Sequence, residues 1–145
     1  MSSRKFVYDQ TFHDGVNIIR GANGTGKSTV MDLLNYSLGS EAADWTEEQA
    51  KCQWVVSQVS VYEKPVTLKR TVTATGQEAV QFFDGNIDKA LNSIDGWHKF
   101  PMRRSKDKHS YSQHIFELLN LPRHKTDDDK NLTMHQILRL MYVDQ

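Results

Sequence analysis

Gly21-Ala22-Asn23-Gly24-Thr25-Gly26-Lys27-Ser28 is the stretch that decides the fold of this chain. It matches the pattern G-x-x-x-x-G-K-[ST] of a phosphate-binding loop, the Walker A motif. Its glycines allow positive φ angles and a close approach of the backbone to phosphate, and the successive N–H groups form a nest for anionic oxygens. The motif predicts that Lys27 reaches the β- and γ-phosphates and that the Ser28 hydroxyl binds Mg²⁺.

The residues on either side of the loop predict the strand and helix that such a motif requires. The apolar run Val16–Ile19 is typical of a buried strand, and Thr29–Leu38 has apolar residues at helical spacing, with Gly39 as a stop signal. A helix that begins at Lys27 would present the positive end of its dipole to the same phosphates.

Length and composition limit the class of protein. A chain of 145 residues predicts one domain, and 18 basic against 18 acidic residues leave no net charge, so no global basic field indicates a nucleic-acid partner. Cys52 is the single cysteine, which excludes an internal disulfide framework and fits a reducing compartment. No segment has the apolar length of a membrane span or the core of a signal peptide. We therefore expect a cytoplasmic protein without a membrane partner.

The period of the apolar residues predicts strands on both sides of the first helix. Lys5–Phe12 and Val16–Arg20 are predicted strands joined by a turn at Asp14-Gly15. An antiparallel meander is predicted further along, with turns at Glu63–Pro65, Thr75–Gln77 and Asp84-Gly85. Its inward side chains would be Val55, Val59 and Val61 on one strand and Val66, Leu68 and Val72 on the next, followed by a strand at Ala79–Phe83.

Two capping boxes predict the remaining helices. Ser110 with Gln113 precedes an apolar run that ends before Pro122, and Thr133 with Gln136 precedes a second run. The stretches Gly39–Ala50 and Arg123–Asn131 are predicted to be loops, the first with a short helical turn at most. Leu140–Gln145 is predicted to be a strand.

The loop Asn23–Thr29, the meander after the first helix and the helical stretch that ends with Gln145 together resemble the N-terminal half of ABC-class ATPase heads of the SMC, RecN and SbcC type. The resemblance implies an α/β fold of the P-loop NTPase class, an ABC-ATPase-like head lobe in which a phosphate-loop strand–helix unit is joined to an antiparallel meander and short helices. Residues 1–145 would be the N-terminal lobe, with the C-terminal lobe and the coiled coil outside this chain.

The resemblance also implies the roles of the site residues. ATP and Mg²⁺ would bind at Asn23, Gly24, Thr25, Gly26, Lys27, Ser28 and Thr29, with Ser28 and Gln145 on the metal side. Gln145 would be the glutamine that approaches the attacking water, so Lys27 and Gln145 are the expected catalytic residues. Arg4, or its neighbour Lys5, stands where the family often places a basic residue near the nucleotide.

The implied partners follow from the way such heads work. Two copies of the head sandwich two ATP molecules as a homodimer, and each head also needs the C-terminal lobe of the same protein. DNA lies across the paired heads, and a nuclease or accessory subunit is a further candidate partner. Such heads serve in DNA repair, chromosome maintenance or defence against phages. The signature Leu-Ser-Gly-Gly and a long heptad run are absent from this sequence, so the chain alone is expected to bind nucleotide weakly and hydrolyse it poorly.

Several alternatives stay open at this point. Leu140–Asp144 also fits the strand end at which many phosphate-loop enzymes hold magnesium, in which case Asp144 would be the metal-side residue of a complete small kinase or NTPase. A clamp that binds ATP with little hydrolysis is the non-enzyme alternative. His124–Asp127 is a poor match to the base-reading motif of GTPases.

The other polar and aromatic residues carry weaker signals. The basic stretch Met102–His109 is a candidate DNA contact, but Asp107 and the lack of aromatic stacking partners favour the interpretation as a solvated loop. The six histidines have no metal-ligand spacing. The tryptophans, Trp45, Trp54 and Trp97, are most simply core or half-buried residues.

Overall fold

The computed structural model of the chain describes residues 7–41, 44–73, 78–103, 105, 107–122 and 132–141. Four of the helices begin directly after an N-cap residue, which is Gly26, Thr46, Asn86 or Ser110, and the last three of these cap the helix with a side chain. The elements are α1 (Lys27–Ser37), α2 (Glu47–Ala50), β1 (Trp54–Val61), β2 (Lys64–Thr71), β3 (Val80–Phe83), α3 (Ile87–Asn92), β4 (Trp97–Phe100), α4 (Tyr111–Leu118) and α5 (Met134–Met141).

The four strands form one antiparallel sheet in the order β1-β2-β3-β4. The strands of the predicted meander are therefore confirmed, whereas its predicted turn at Thr75–Gln77 lies outside the described residues. β4 is an added edge strand too short to show a period in the sequence. The first hairpin turns at Tyr62 and Glu63, whose φ angles of 48° and 64° are those of a two-residue primed turn. The predicted turn at Glu63–Pro65 was placed too late, because Lys64 and Pro65 already belong to β2.

The core lies between the inner face of the sheet and helices α1 and α4. Val66, Leu68, Val80 and Phe82 pack there against α4, and each is at most 6 % exposed. The inner face of β2 continues with Arg70, which is fully buried. Val72, predicted to share this face, is half-buried and follows directly after the end of β2 at Thr71, with its N–H donating to the Gln53 carbonyl at 3.0 Å.

The predicted capping boxes begin helices as expected. The Ser110 side chain accepts a hydrogen bond from the Gln113 N–H at the start of α4, and the Thr133 hydroxyl accepts one from the Gln136 N–H at the start of α5. A third box, at Thr46, begins α2 inside the region predicted as a loop or helical turn. None of the described helices has the length and apolar character needed to cross a bilayer.

The prediction of a strand over Leu140–Gln145 was wrong for the residues that can be checked. Leu140 and Met141 belong to α5, because the box at Thr133 starts a helix and the strong helix formers Leu and Met continue it. Residues 142–145, and with them both Asp144 and Gln145, lie outside the described residues.

The two strands predicted before the phosphate loop do not form either. Residues 7–26 contain no strand, and Val16 and Ile18 are 82 % and 69 % exposed instead of buried. The turn at Asp14-Gly15 is present, with Gly15 at φ 91°, but the Asn17 side chain closes it by donating to the His13 carbonyl at 2.7 Å. A strand needs a partner for its N–H and C=O groups, and no described strand lies beside this segment.

Candidate functional site

The phosphate loop forms a left-handed turn that leads directly into α1. Gly24 and Gly26 have φ angles of 77° and 82°, and Gly26 is the N-cap residue of the helix. No side chain caps this end, so the N–H groups of the first turn, which have no partner within a helix, remain available to an anion. The prediction of a helix from Lys27 is confirmed, as is its stop at Gly39, which has φ 113°.

The Lys27 ammonium contacts the backbone of the phosphate loop, where it is expected to bind phosphate. Its Nζ donates to the carbonyl oxygens of Gly21 and Ala22, each at 2.8 Å. Thr25 also closes the loop, with its hydroxyl 2.8 Å from the Ala22 carbonyl oxygen. A Cβ on Gly21 would lie 2.6 Å from that hydroxyl oxygen, so a larger residue there would displace the Thr25 hydroxyl. Phosphate oxygens can take the place of these carbonyls as acceptors for the ammonium.

The loop gathers most of the predicted ligand residues. Ser28 is exposed on the first turn of α1, where its hydroxyl can reach a metal bound to phosphate. Asn23 is exposed on the loop and Thr29 is half-buried on the helix. Arg4 and Gln145, the other two predicted site residues, lie outside the described residues.

The opposite end of α1 is held by side chains from the sheet and from α4. Arg70 donates from Nη1 to the carbonyl oxygens of Tyr36 at 2.7 Å and Ser40 at 2.5 Å, and its guanidinium lies 3.8 Å from the Tyr36 ring centroid. The Tyr111 hydroxyl donates to the Leu38 carbonyl at 3.0 Å. The Tyr36 hydroxyl in turn donates to the Thr71 carbonyl of β2 at 2.6 Å. The bonds to the Tyr36 and Leu38 carbonyls use groups at the C-terminal end of the helix, where carbonyls have no intrahelical partner, and the other two tie this end to the following loop and to β2.

Burial shifts the pKa values of the tyrosines and the arginine at this end of α1. It raises the pKa of the Tyr36 and Tyr111 hydroxyls, against the opposing effect of the Arg70 charge, so both tyrosines remain neutral donors. Burial also lowers the pKa of the Arg70 guanidinium. The sequence analysis missed Arg70 as a positioning residue, although the alternation Val66, Leu68, Arg70 places it on the inner face.

A polar cleft of about 490 Å³ lies beside α1, further along the helix than the phosphate loop. Asp32 lies one helical turn after Ser28 and lines this cleft. Its carboxylate accepts a 2.7 Å hydrogen bond from the amide of Gln49, a buried residue of the same lining. His135 of α5 accepts from the Glu41 N–H at 3.0 Å, which fixes its Nδ1 as an acceptor. The cleft is lined by Asp32, Asn35, Tyr36, Ser40, Glu41, Asp44, Trp45, Gln49, His135 and Arg139.

The loop and the cleft differ in what they can bind. The nest of N–H groups, an ammonium and a hydroxyl at one helix end suit a triphosphate with Mg²⁺. Within the described part of the chain, no group of three His, Cys, Asp or Glu side chains could hold a metal ion. Mg²⁺ in nucleotide sites usually keeps several waters and binds phosphate oxygens with few protein ligands, and the exposed Ser28 hydroxyl is suited to be one of them.

Comparison with known proteins agrees with this geometry. A family model described as an AAA domain matches residues 6–139, which is most of the chain. The chain belongs to this AAA-domain family. The domain is a P-loop ATPase type found in SMC/SbcC-like proteins, and its members are in general ATPases that use a nucleotide and typically Mg²⁺. No curated protein and no solved structure matches the chain.

Proposed function

We propose that this AAA domain binds ATP with Mg²⁺ at Asn23–Thr29 and forms the N-terminal lobe of an SMC/RecN/SbcC-type ATPase head. The observation that carries the proposal is the phosphate loop itself. Gly24 and Gly26 take left-handed conformations, the amide nest opens at the N-terminus of α1, and the Lys27 ammonium lies within reach of the loop. The antiparallel sheet that follows α1 supports the head type, because a complete doubly wound domain would continue with parallel strands.

The segment before the loop supports the need for a second lobe. Val7, Val16 and Ile18 are each more than 60 % exposed, although they are apolar and precede the nucleotide site directly. Side chains of this kind are normally buried. A strand from the C-terminal lobe of the same protein would cover them and would supply the ladder partner that Val16–Arg20 needs.

Gln145 is proposed as the glutamine that follows α5. The helix begins at Met134 beside the C-terminal end of α1, where His135 contacts Ser40 and Glu41, and its later residue Arg139 lines the same cleft as Asp32. Asp144 remains the alternative metal-side residue, and the binding and turnover test below distinguishes the two.

The mechanism proposed for these residues is positioning and charge stabilisation, without covalent chemistry on the protein. Lys27 and the loop amides would neutralise the charge that develops on the transferred phosphoryl group. Ser28 would hold the metal side, and Gln145 would orient the attacking water. Bound Mg²⁺ supplies charge neutralisation between the phosphates.

The biological setting proposed for this reaction is a switch. ATP would join two copies of the head, hydrolysis would release them, and the attached coiled coils would act on DNA in repair, chromosome maintenance or defence. The stretch Met102–His109 is a candidate DNA contact at the heads. Its residues Arg103 and Lys108 are exposed, whereas Met102 packs in the core.

The first test is binding of ATP and of GTP to the protein, each with and without Mg²⁺, measured by the fluorescence of a labelled nucleotide. The proposal expects ATP to bind in a Mg²⁺-dependent manner and expects little turnover by this lobe alone. Tight binding with full turnover by the 145-residue chain would instead indicate a small complete NTPase that uses Asp144. No nucleotide binding at all would overturn the assignment of the loop.

The second test concerns hydrolysis in the assembled head. Gln145→Ala should slow ATP hydrolysis by more than it weakens ATP binding, because the amide is proposed to act on the attacking water. Single-turnover rates and nucleotide Kd values would be compared with those of the unchanged protein. Equal losses in both quantities would indicate that Gln145 has a structural role. If the unchanged head binds ATP and dimerises without hydrolysis, the non-enzymatic clamp is the correct interpretation.

A further inference from the structure

The face of the sheet that points away from the core has an uncovered aromatic and basic area. The register places Trp54 beside Thr71, Gln81 between Lys69 and Lys99, and Trp97 on the neighbouring edge strand, all on this side. We call this area the outer patch and define it as Trp54, Lys69, Thr71, Gln81, Trp97 and Lys99.

Helix α3 covers only the other end of the same face. Thr67 is fully buried there and donates to the Gly85 carbonyl at 2.8 Å, and the Ile87 N–H donates to the Gln58 side chain at 2.9 Å. The outer patch has no such cover in the described structure. Trp54 remains 42 % exposed, which corrects the prediction that it is a core or half-buried residue.

In the outer patch one lysine ammonium lies close to both indole rings. The Lys69 ammonium lies 5.1 Å from the Trp54 ring centroid and 5.8 Å from the Trp97 ring centroid. Trp97 also packs against Phe83, with ring centroids 5.4 Å apart. These contacts hold the indoles in place, so little side-chain entropy remains to be lost when a ligand stacks on them.

The charge of the four strands indicates which class of ligand the outer patch would bind. None of the four strands contains an Asp or a Glu, whereas Lys69 and Lys99 both belong to the outer face. A cationic surface with fixed aromatic rings is complementary to a ligand that alternates negative charge with flat rings. The phosphates and bases of an unpaired nucleic-acid strand have this alternation.

We propose that the outer patch binds single-stranded nucleic acid, with bases stacked on Trp54 and Trp97 and phosphates held by Lys69 and Lys99. Aromatic rings on the open face of a four-stranded antiparallel sheet, here the exposed Trp54 and the half-buried Trp97, can stack unpaired bases, whereas the bases of a duplex are already stacked on one another. The proposal extends the proposed action on DNA and rests on it for its biological setting. The surface itself is separate from the nucleotide site, because α1 packs on the inner face through Tyr36 and Arg70.

The test is a titration of the protein with fluorescein-labelled oligo-dT and oligo-U of equal length and with a duplex of the same length, followed by anisotropy. Both single strands should bind more tightly than the duplex, and a difference between them would tell DNA from RNA as the preferred source. Trp54→Ala and Trp97→Ala should each weaken single-strand binding by about tenfold or more, the usual loss for a stacked base. Unchanged affinity in both folded variants would overturn the proposal.

A variant that removes charge provides a second test of the outer patch, which applies even if a tryptophan variant fails to fold. Lys69→Gln combined with Lys99→Gln should reduce the slope of log K against log salt concentration by about 1.4, since each neutralised phosphate of a single strand contributes about 0.7. Lys64→Gln is the matched control, because Lys64 is an exposed lysine of the same sheet on its other face. An equal effect of the control and the double variant would contradict the assignment.

Binding of labelled ATP by the same variants tests the proposed function independently of the outer patch. The outer-patch variants should bind ATP as the unchanged protein does. Oligonucleotide binding without any ATP binding would overturn the nucleotide site and leave the outer patch supported. ATP binding with no oligonucleotide binding, or with a preference for the duplex, would overturn the outer patch alone.

Discussion

At the scale of single residues, Gly24 and Gly26 determine the backbone conformation of the phosphate loop. Both have positive φ angles, a conformation that costs other residues about 1–2 kcal/mol. Neither glycine has a neighbouring atom within 4 Å of the position that a Cβ would take. Their requirement is therefore one of backbone conformation rather than of space, unlike that of Gly21, whose added Cβ would meet Thr25.

Lys27→Ala is expected to abolish measurable ATP binding while leaving the fold intact. The variant removes the ammonium that would bond to phosphate, and each lost charge-assisted hydrogen bond is worth about 1.5–3 kcal/mol. Labelled-nucleotide titration measures the loss, and circular dichroism reports the fold. Lys51→Ala is the matched control, because that lysine is exposed and pairs with Glu47 across one helical turn at α2. Tight ATP binding by Lys27→Ala would refute the site.

Arg70→Met is expected to lower the free energy of unfolding by about 3 kcal/mol or more, since buried acceptors lose a charged donor. The guanidinium donates to the carbonyl oxygens of Tyr36, Ser40 and Glu78, and it is 0 % exposed. Urea denaturation would measure the change. Arg103→Met, at an exposed position, should change the free energy of unfolding by no more than about 0.5 kcal/mol. Similar losses in the two variants would show that Arg70 does not anchor α1.

At the scale of elements, α1 is fixed at one end and open at the other. Arg70 and Tyr111 use the carbonyls at its C-terminal end, and the Ser37 hydroxyl lies 2.8 Å from that of Ser57 in β1. Its N-terminal end has only the loop and no capping side chain. The helix is thus a rigid support that presents its free N–H groups to a ligand.

Ser110→Ala tests the capping box that begins α4. The variant removes the side-chain acceptor of the Gln113 N–H and is expected to lower the free energy of unfolding by about 1 kcal/mol. The loss affects the whole fold because α4 buries Ile115 and Phe116. Ser105→Ala, at an exposed loop position, is the control and should lie within about 0.5 kcal/mol of the unchanged protein. Urea denaturation of all three proteins decides the point, and no difference between the two variants would contradict the role of the cap.

At the scale of the whole molecule, His114 joins α4 to the sheet. Its ring stacks on Phe100 with centroids 4.1 Å apart and meets the edge of Phe82 at 4.7 Å. Within the described residues, its Nε2 is buried without a hydrogen-bond partner. Burial lowers the pKa of His114, and the nearby His109 and His98 lower it further against the opposing effect of Glu117.

This pKa shift predicts a loss of stability in acid. Below an ordinary pKa of 6.5 the unfolded chain binds a proton at His114 that the folded protein does not yet bind. The free energy of unfolding therefore decreases as the pH falls from about 6.5 through the lower pKa of the folded state. His114→Phe should reduce the difference in unfolding free energy between pH 7.5 and pH 5, whereas His13→Gln, at an exposed position, should not. An equal pH dependence in His114→Phe and the unchanged protein would contradict the prediction.

The amino-acid sequence by itself determined the features that depend on neighbouring residues. The phosphate loop, the start of α1 at Lys27, its stop at Gly39 and the capping boxes at Ser110 and Thr133 all follow from local backbone and hydrogen-bond requirements. The antiparallel pairing of the first strands also followed, because β1 and β2 alternate with a period of two and are joined by a two-residue turn.

The tertiary structure alone decided the features that depend on distant partners. The period of Val16–Arg20 predicted a strand, but a strand exists only where a second one pairs with it, and here Val16 and Ile18 stay exposed. Arg70 has the polarity of a surface residue, yet the carbonyls at the end of α1 make its burial favourable. The outer patch likewise arises only when the register brings Trp54, Lys69 and Trp97 together. Contacts between residues far apart in the chain depend on the whole packed fold, so local sequence patterns do not predict them.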